Sequence, residues 1–161
     1  MAKRNKMDDI LIRPITVAEW DEAMQIAWDT FILFEAPEYS KQGIESFRNF
    51  VKDPILKTLF VEGKYKVIAA FDKGFMVGML GVRNETHISL LFVDSEYHRR
   101  GIARRLMNRI FEMTYKEYGK REMTVNSSPY AVGFYHKIGF IDTDVEQTTD
   151  GIRYTPMFIR F

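Results

Sequence analysis

The residues best placed to do chemistry stand together in His98-Arg99-Arg100-Gly101-Ile102-Ala103-Arg104-Arg105. They follow an apolar run, His87 to Val93 (HISLLFV), through the short link Asp94-Ser95-Glu96-Tyr97, and they open a helical pattern. The first turn of a helix presents backbone N–H groups with no internal partner, and the macrodipole makes that end positive. Two neighbouring phosphates fit there if the backbone is approachable. Gly101 has no side chain in the way and Ala103 only a methyl, while Arg99, Arg100, Arg104 and Arg105 add positive charge. The predicted chemistry is a seat for a pyrophosphate. It is not a P-loop, because no Gly-Lys-Ser/Thr follows, and its glycines are too few for the dinucleotide-binding fingerprint.

Other elements must hold this seat in place. Ile10-Leu11-Ile12-Arg13, stopped by Pro14, reads as a first strand. Thr16 and Glu19 form a capping box before Trp20, Met24, Ala27, Trp28 and Phe31, which recur at helical spacing to about Phe34. Glu35-Ala36-Pro37-Glu38-Tyr39 breaks that helix. Ser40 then caps a second one, with Ile44, Phe47, Phe50 and Val51 on one face, ended or bent at Pro54. Lys66–Phe71 and Phe75–Val82 flank Asp72-Lys73-Gly74 as a hairpin. After a turn at Asn84-Glu85, the run His87–Val93 is apolar enough to be buried on both faces. A helix is expected from about Arg99 to Tyr118, with Ile102, Leu106 and Ile110 inward and Gly119 closing it. Glu122–Asn126 is a short strand. Ser128 and Pro129 start a helix that Gly139 ends, and Phe140-Ile141 and Ile152–Phe161 read as the last strands. This order predicts an α+β (mixed α/β) fold around one central sheet.

The chain has 161 residues, 46% hydrophobic and 28% charged, enough for one domain over residues 1–161 with a core of its own. Met1 to Asp9 is polar and basic and reads as a loose arm, not as a signal peptide. No stretch approaches the roughly twenty apolar residues of a membrane span, so a cytoplasmic protein without a membrane partner is expected. The net charge of +1 argues against a nucleic-acid partner, even with an arginine-rich helix. There is no cysteine, which excludes disulfides and thiolate chemistry. His87, His98 and His136 lack the spacing of a zinc-protease pair, so no metal is expected.

The pattern His98-x-x-Gly101-x-Ala103 resembles motif A of the GNAT acetyltransferase superfamily, Gln/Arg-x-x-Gly-x-Gly/Ala, with His98 as the departure. Met123 to Phe140 (MTVNSSPYAVGFYHKIGF) resembles its motif B: a strand, an asparagine, a helix with a tyrosine, then Gly-Phe. The resemblance covers about residues 66 to 142. It implies a central, mostly antiparallel mixed sheet of six to seven strands, flanked by about four helices and splayed at the coenzyme A site. It also implies acetyl-CoA as donor, with its pyrophosphate held mainly by backbone across His98, Arg99, Arg100, Gly101, Ile102, Ala103 and Arg104. The acetyl group would pass by direct attack to a primary amine on a small molecule or a peptide.

Roles for other residues follow from the same resemblance. Tyr135 matches the tyrosine near the coenzyme A sulfur. Backbone amides near Leu91, Phe92 and Val93 would hold the oxyanion, with pantetheine inserted like an extra strand. The family's fourth-strand glutamate falls on His87, whose ordinary pKa suits a base. Glu85, or Glu35 or Glu38 through a water, are alternatives for that role. Asn126 matches a cofactor contact, while Lys137, toward the nucleotide end, reads as a solvated helix lysine. The acceptor would meet the loop carrying Glu35, Glu38 and Tyr39, whose carboxylates and aromatics suit a cationic amine. A homodimer through Ile152–Phe161 is the expected assembly if there is one. A non-catalytic acyl-CoA-binding domain of the same fold is the alternative function.

Overall fold

The computed structural model describes residues 9–161, so the arm expected over Met1 to Asp9 lies outside the described residues except for Asp9. Among the described residues there are eight strands: β1 (Ile10–Pro14), β2 (Tyr65–Asp72), β3 (Phe75–Arg83), β4 (His87–Val93), β5 (Glu122–Ser127), β6 (Ile141–Asp142), β7 (Gln147–Thr149) and β8 (Ile152–Arg160). Five α-helices accompany them among the described residues: α1 (Trp20–Phe34), α2 (Lys41–Lys52), α3 (Pro54–Val61), α4 (Ile102–Tyr118) and α5 (Val132–Ile138). The sheet runs β1-β2-β3-β4-β5-β8-β6, with β7 also on β8. Every pairing is antiparallel except β4 with β5. This is the mixed, mostly antiparallel α+β architecture expected from the sequence.

The sheet carries a core on each face. Trp20, Ala27 and Phe31 of α1 pack with Val51, Leu56, Val67 and Ala69 on one side. Ile102, Leu106 and Ile110 of α4 pack with Ile68, Ala70 and Tyr135 on the other. Adjacent β2 residues thus serve opposite faces, as the period of two requires. β4 does so with an interruption. Val82 pairs with Ile88 and Gly81 with Leu90, so Ser89 is the extra residue of a bulge. Ile88 therefore faces the α4 side, while Leu90 and Phe92 face α1. Tyr65 fills the space at the bulge. Its hydroxyl lies 2.6 Å from Ser89 Oγ, and a Cβ on Gly81 would meet that hydroxyl at 2.2 Å.

Some element boundaries differ from the expectation. Glu19 Oε1 does accept from the Thr16 amide at 2.8 Å, and Ser40 Oγ accepts from Gly43 at 3.2 Å. Pro54, however, begins a helix as well as ending one. Asp53 accepts from the Ile55 amide at 2.9 Å, and proline at the first position needs no donor. That third N-terminal helix, with the short β7, extends the expected element count. Helix α4 starts at Ile102 rather than Arg99, because Arg99 (φ 62°) and Gly101 (φ 75°) are left-handed. The run Ile152–Phe161 offers little free edge for a second chain: β8 holds β5 along one side and β6 and β7 along the other. The outer strands of the sheet are β1 and β6.

Candidate active site

β4 and β5 pair only at His87–Thr124 and Ile88–Val125, then part. Asp94 donates its amide to Val77 O at 2.8 Å, and Val93 stands opposite Gly78. Val93 is therefore a non-hydrogen-bonded position of the β3–β4 ladder, as is Leu91 two residues earlier. Their N–H and C=O groups turn away from β3 and into the gap toward β5. A cavity of about 630 Å³ fills this gap, walled by Leu91, Phe92 and Val93 on β4 and by Phe134, Tyr135 and Lys137 on α5.

One end of the cavity is the start of α4. The first intrahelical bond there is Arg105 N–H to Gly101 O, at 3.1 Å. The amides of Ile102, Ala103 and Arg104 precede it and have no acceptor within the helix. A Cβ on Gly101 would meet nothing within 4 Å, so the approach is open. Arg99 and Arg104 line this end. Arg100 is turned away, its guanidinium 4.8 Å from the Tyr97 ring centroid, in a separate depression with Asp72 and Glu96. Arg105 donates to Ile10 O at 3.1 Å. The seat thus draws on two of the four arginines, with the bare amides. His98 does not reach into it either. Its Nε2 donates to Val93 O at 2.6 Å, and its ring packs 4.7 Å from Phe34. The side chain closes the β4–α4 loop onto its own strand.

The other end is built by the close of α1. Phe34 stacks on Tyr130 at 5.3 Å as well as on His98, which joins three loops at one point. Glu35, the next residue, is half-buried near Ser128 and lines the same cavity as Tyr135. Burial, only partly offset by Ser128, pushes its carboxyl up to about 7. Tyr135 is 4% exposed. Burial, then the neighbouring Glu35 charge, raises its phenol well above the ordinary value. Its hydroxyl makes no hydrogen bond among the described residues.

The matching family model is the acetyltransferase (GNAT) domain, over residues 35–161. The chain belongs to the GNAT acetyltransferase family. Its class of activity is N-acetyl transfer. It is 27% identical over 157 residues to the uncharacterized N-acetyltransferase YafP of Escherichia coli (strain K12), covering 96% of this chain and 97% of that one. Its fold is similar to a GCN5-related N-acetyltransferase of Rhodopseudomonas palustris, with a TM-score of 0.81, 20% identity and coverage of 94% and 95%. It is similar too to the PaiA N-acetyltransferase of Thermoplasma acidophilum, solved in complex with coenzyme A, with a TM-score of 0.77, 21% identity and coverage of 94% and 99%.

Within this GNAT cleft the expected site residues divide. Leu91, Phe92, Val93, His98, Arg99, Gly101, Ile102, Ala103, Arg104, Tyr135, Lys137 and Glu35 line it together. His87 does not. It opens β4, about 13 Å along the strand from Leu91, where its Nδ1 lies 2.8 Å from Thr124 Oγ1. Burial, then Arg83, lowers its pKa to about 4. Glu85 is paired with Lys120 at 2.6 Å at that same remote end. Asn126 is exposed on β5 opposite Pro156 and is not in the cavity wall. Glu38 and Tyr39 serve the loop itself. The Tyr39 hydroxyl donates to Arg153 O at 3.1 Å, and Arg153 donates to Glu38 O at 3.3 Å.

Sequence reasoning gave no site role to Ser128 or Tyr130, and it placed Phe34 only among the aromatics of the acceptor loop. Ser128 reads as a helix cap, and Tyr130 as part of the helix it caps. Their importance comes from contacts across the chain, for which the sequence holds no local signal. Among the described residues, no group of three or more histidines and acids is placed to hold a metal, and no helix is long and apolar enough to cross a membrane.

Proposed function

We propose that this protein transfers the acetyl group of acetyl-CoA directly to a primary amine, with Glu35 taking the proton that the attacking ammonium must lose. The observation that carries this reading is the pairing of ends within one cleft. Free helix amides and two arginines stand at one end, and a half-buried carboxyl with its pKa pushed up to about 7 stands beside a buried tyrosine at the other. The residues present fit coenzyme A: an unobstructed Gly101, three unpartnered amides and two guanidinium groups suit its pyrophosphate, and the parted β4 edge suits its extended pantetheine arm. When bound, acetyl-CoA supplies an acyl carbon activated as a thioester.

The chain's own groups do the rest. The Leu91 and Val93 amides donate toward the acyl oxygen as it gains charge. Glu35 is poised near neutral pH, where a general base works best. Tyr135 remains protonated and donates a hydrogen bond to the departing sulfur. The acceptor is a small-molecule or peptide amine that enters past Phe34 and Tyr130.

The test is thiol release from acetyl-CoA across a panel of amines, as a function of pH. We expect kcat/KM to rise through about pH 7 and Glu35→Gln to lower kcat by roughly a hundredfold or more. His87→Ala should leave both the rate and the profile in place. Undiminished turnover in Glu35→Gln would remove Glu35 from the mechanism. Acetyl-CoA binding without release for every amine would favour a binding domain instead.

A further inference from the structure

We infer that the acceptor is a primary amine with a single charge on an aromatic body, its ring laid on Tyr130 and its ammonium directed to Glu35. This rests on the proposed function, which brings the acceptor in at the Phe34 and Tyr130 end of the cleft. Tyr130 is 52% exposed and lines the cleft. Phe34 stacks on it, with 5.3 Å between ring centroids and 29° between planes. His98 backs Phe34 at 4.7 Å and is itself tied by Nε2 to Val93 O at 2.6 Å. The turn that carries Tyr130 is closed by the Ala131 amide, which donates to Ser128 O at 3.1 Å. The Tyr130 ring is thus held in place without being covered. An aromatic surface left open in a cleft wall, on a fixed support, is a platform for another ring. Phe134 adds a further aromatic side chain to the same wall.

The charges in the wall set the rest of the acceptor. Among the described residues, Glu35 is the one acidic side chain lining the cleft, while Arg99, Arg104 and Lys137 are cationic. Glu38, three residues on, is already answered: its Oε2 lies 3.9 Å from Arg153 Nη1. Arg153 also takes Glu146, Nη2 to Oε1 at 3.2 Å. A linear polyamine would bring two or more ammonium groups to a wall that offers one anion. A single ammonium at Glu35 leaves no acceptor charge unmatched. Glu35 follows Phe34 directly in the chain, so the carboxyl and the ring stack are set side by side. Such a site selects by what it leaves unpaired as well as by what it attracts.

The experiment is an NMR titration of the full chain, saturated with coenzyme A, with phenethylamine, n-butylamine and spermidine in turn. Phenethylamine should bind about tenfold more tightly than either of the others, the effect of one well-placed ring contact. Tyr130→Ala should remove most of its advantage over n-butylamine, and Tyr130→Phe, which keeps the ring, should preserve it. Thermal unfolding checks that each variant is folded. A phenethylamine affinity no higher than that of spermidine overturns the inference, as does a folded Tyr130→Ala variant with the advantage intact. The transfer reading fails by a different result, tight phenethylamine binding with no thiol release from acetyl-CoA, so the two failures are separable.

Discussion

At Tyr135, burial decides what the hydroxyl is able to do. Its phenol is held well above the ordinary range by desolvation and by the Glu35 charge, while a thiol leaves near 8.5. Full proton transfer to the sulfur would run uphill, and a hydrogen bond to it would not. Tyr135→Phe should therefore lower kcat by about tenfold, the value of one such bond, with the acetyl-CoA dissociation constant within about twofold of wild type. A variant at full kcat would return Tyr135 to the role of a packing residue. This tyrosine was legible in the sequence because it sits in a local pattern that ends at Gly139-Phe140. Glu35 was visible only as one carboxylate of an acidic, aromatic loop, equal there to Glu38. What separates the two is the docking of α1 on Ser128 and Tyr130, more than ninety residues away in the chain.

Between elements, the loop that carries Glu35 is held by a seam that includes a close contact of two glycines. α2 begins against the β7–β8 turn so closely that a Cβ on Gly151 would meet Gly43 N at 2.3 Å. Ser46 Oγ donates to Asp150 O at 2.8 Å beside it, and the Tyr39–Arg153 bond continues the seam. Gly151 is also left-handed, at φ 79°. Gly151→Ala adds a strained backbone to a clash that only separation of the two elements relieves. A loss of about 2 kcal/mol or more is expected, or a Tm lower by about 5 °C or more. The α4 seat lies elsewhere, so acetyl-CoA affinity should be unchanged while the KM for the amine rises. An unaltered Tm would mean that the seam is loose in solution. None of this was legible beforehand, since Gly43 looks like a weak point in a helix and Gly151 like a turn. The Asp72-Lys73-Gly74 hairpin was legible because its chemistry is local. The bulge at Ser89 was not, because it answers to Tyr65 on another strand.

Across the whole molecule, two half-buried ionisable groups bias the pH dependence of stability in opposite directions. The order of elements in the sequence foretold one sheet covered on both faces, but not which titratable groups that cover would bury. His87 has a folded pKa of about 4, below its ordinary value. The unfolded chain takes up that proton first, so stability is lost as pH falls from about 6.5 toward 4. Glu35 has a folded pKa of about 7, above its ordinary value of 4.5. Here the folded chain holds the proton more tightly, so stability is lost as pH rises from about 4.5 to 7 and stays lost above that. Glu35→Gln removes the second loss and leaves the first. Urea unfolding should then find this variant more stable than wild type at pH 8, by on the order of 2 kcal/mol. The gap should close toward pH 4.5, where wild-type Glu35 is neutral in both states. On the proposed mechanism the same substitution should abolish most of the turnover, since the strain of an ionised carboxyl in that wall is what would make it a base at neutral pH. Equal stability of the two proteins at pH 8 would mean that Glu35 ionises without strain, and would take the driving force for proton removal away from this site.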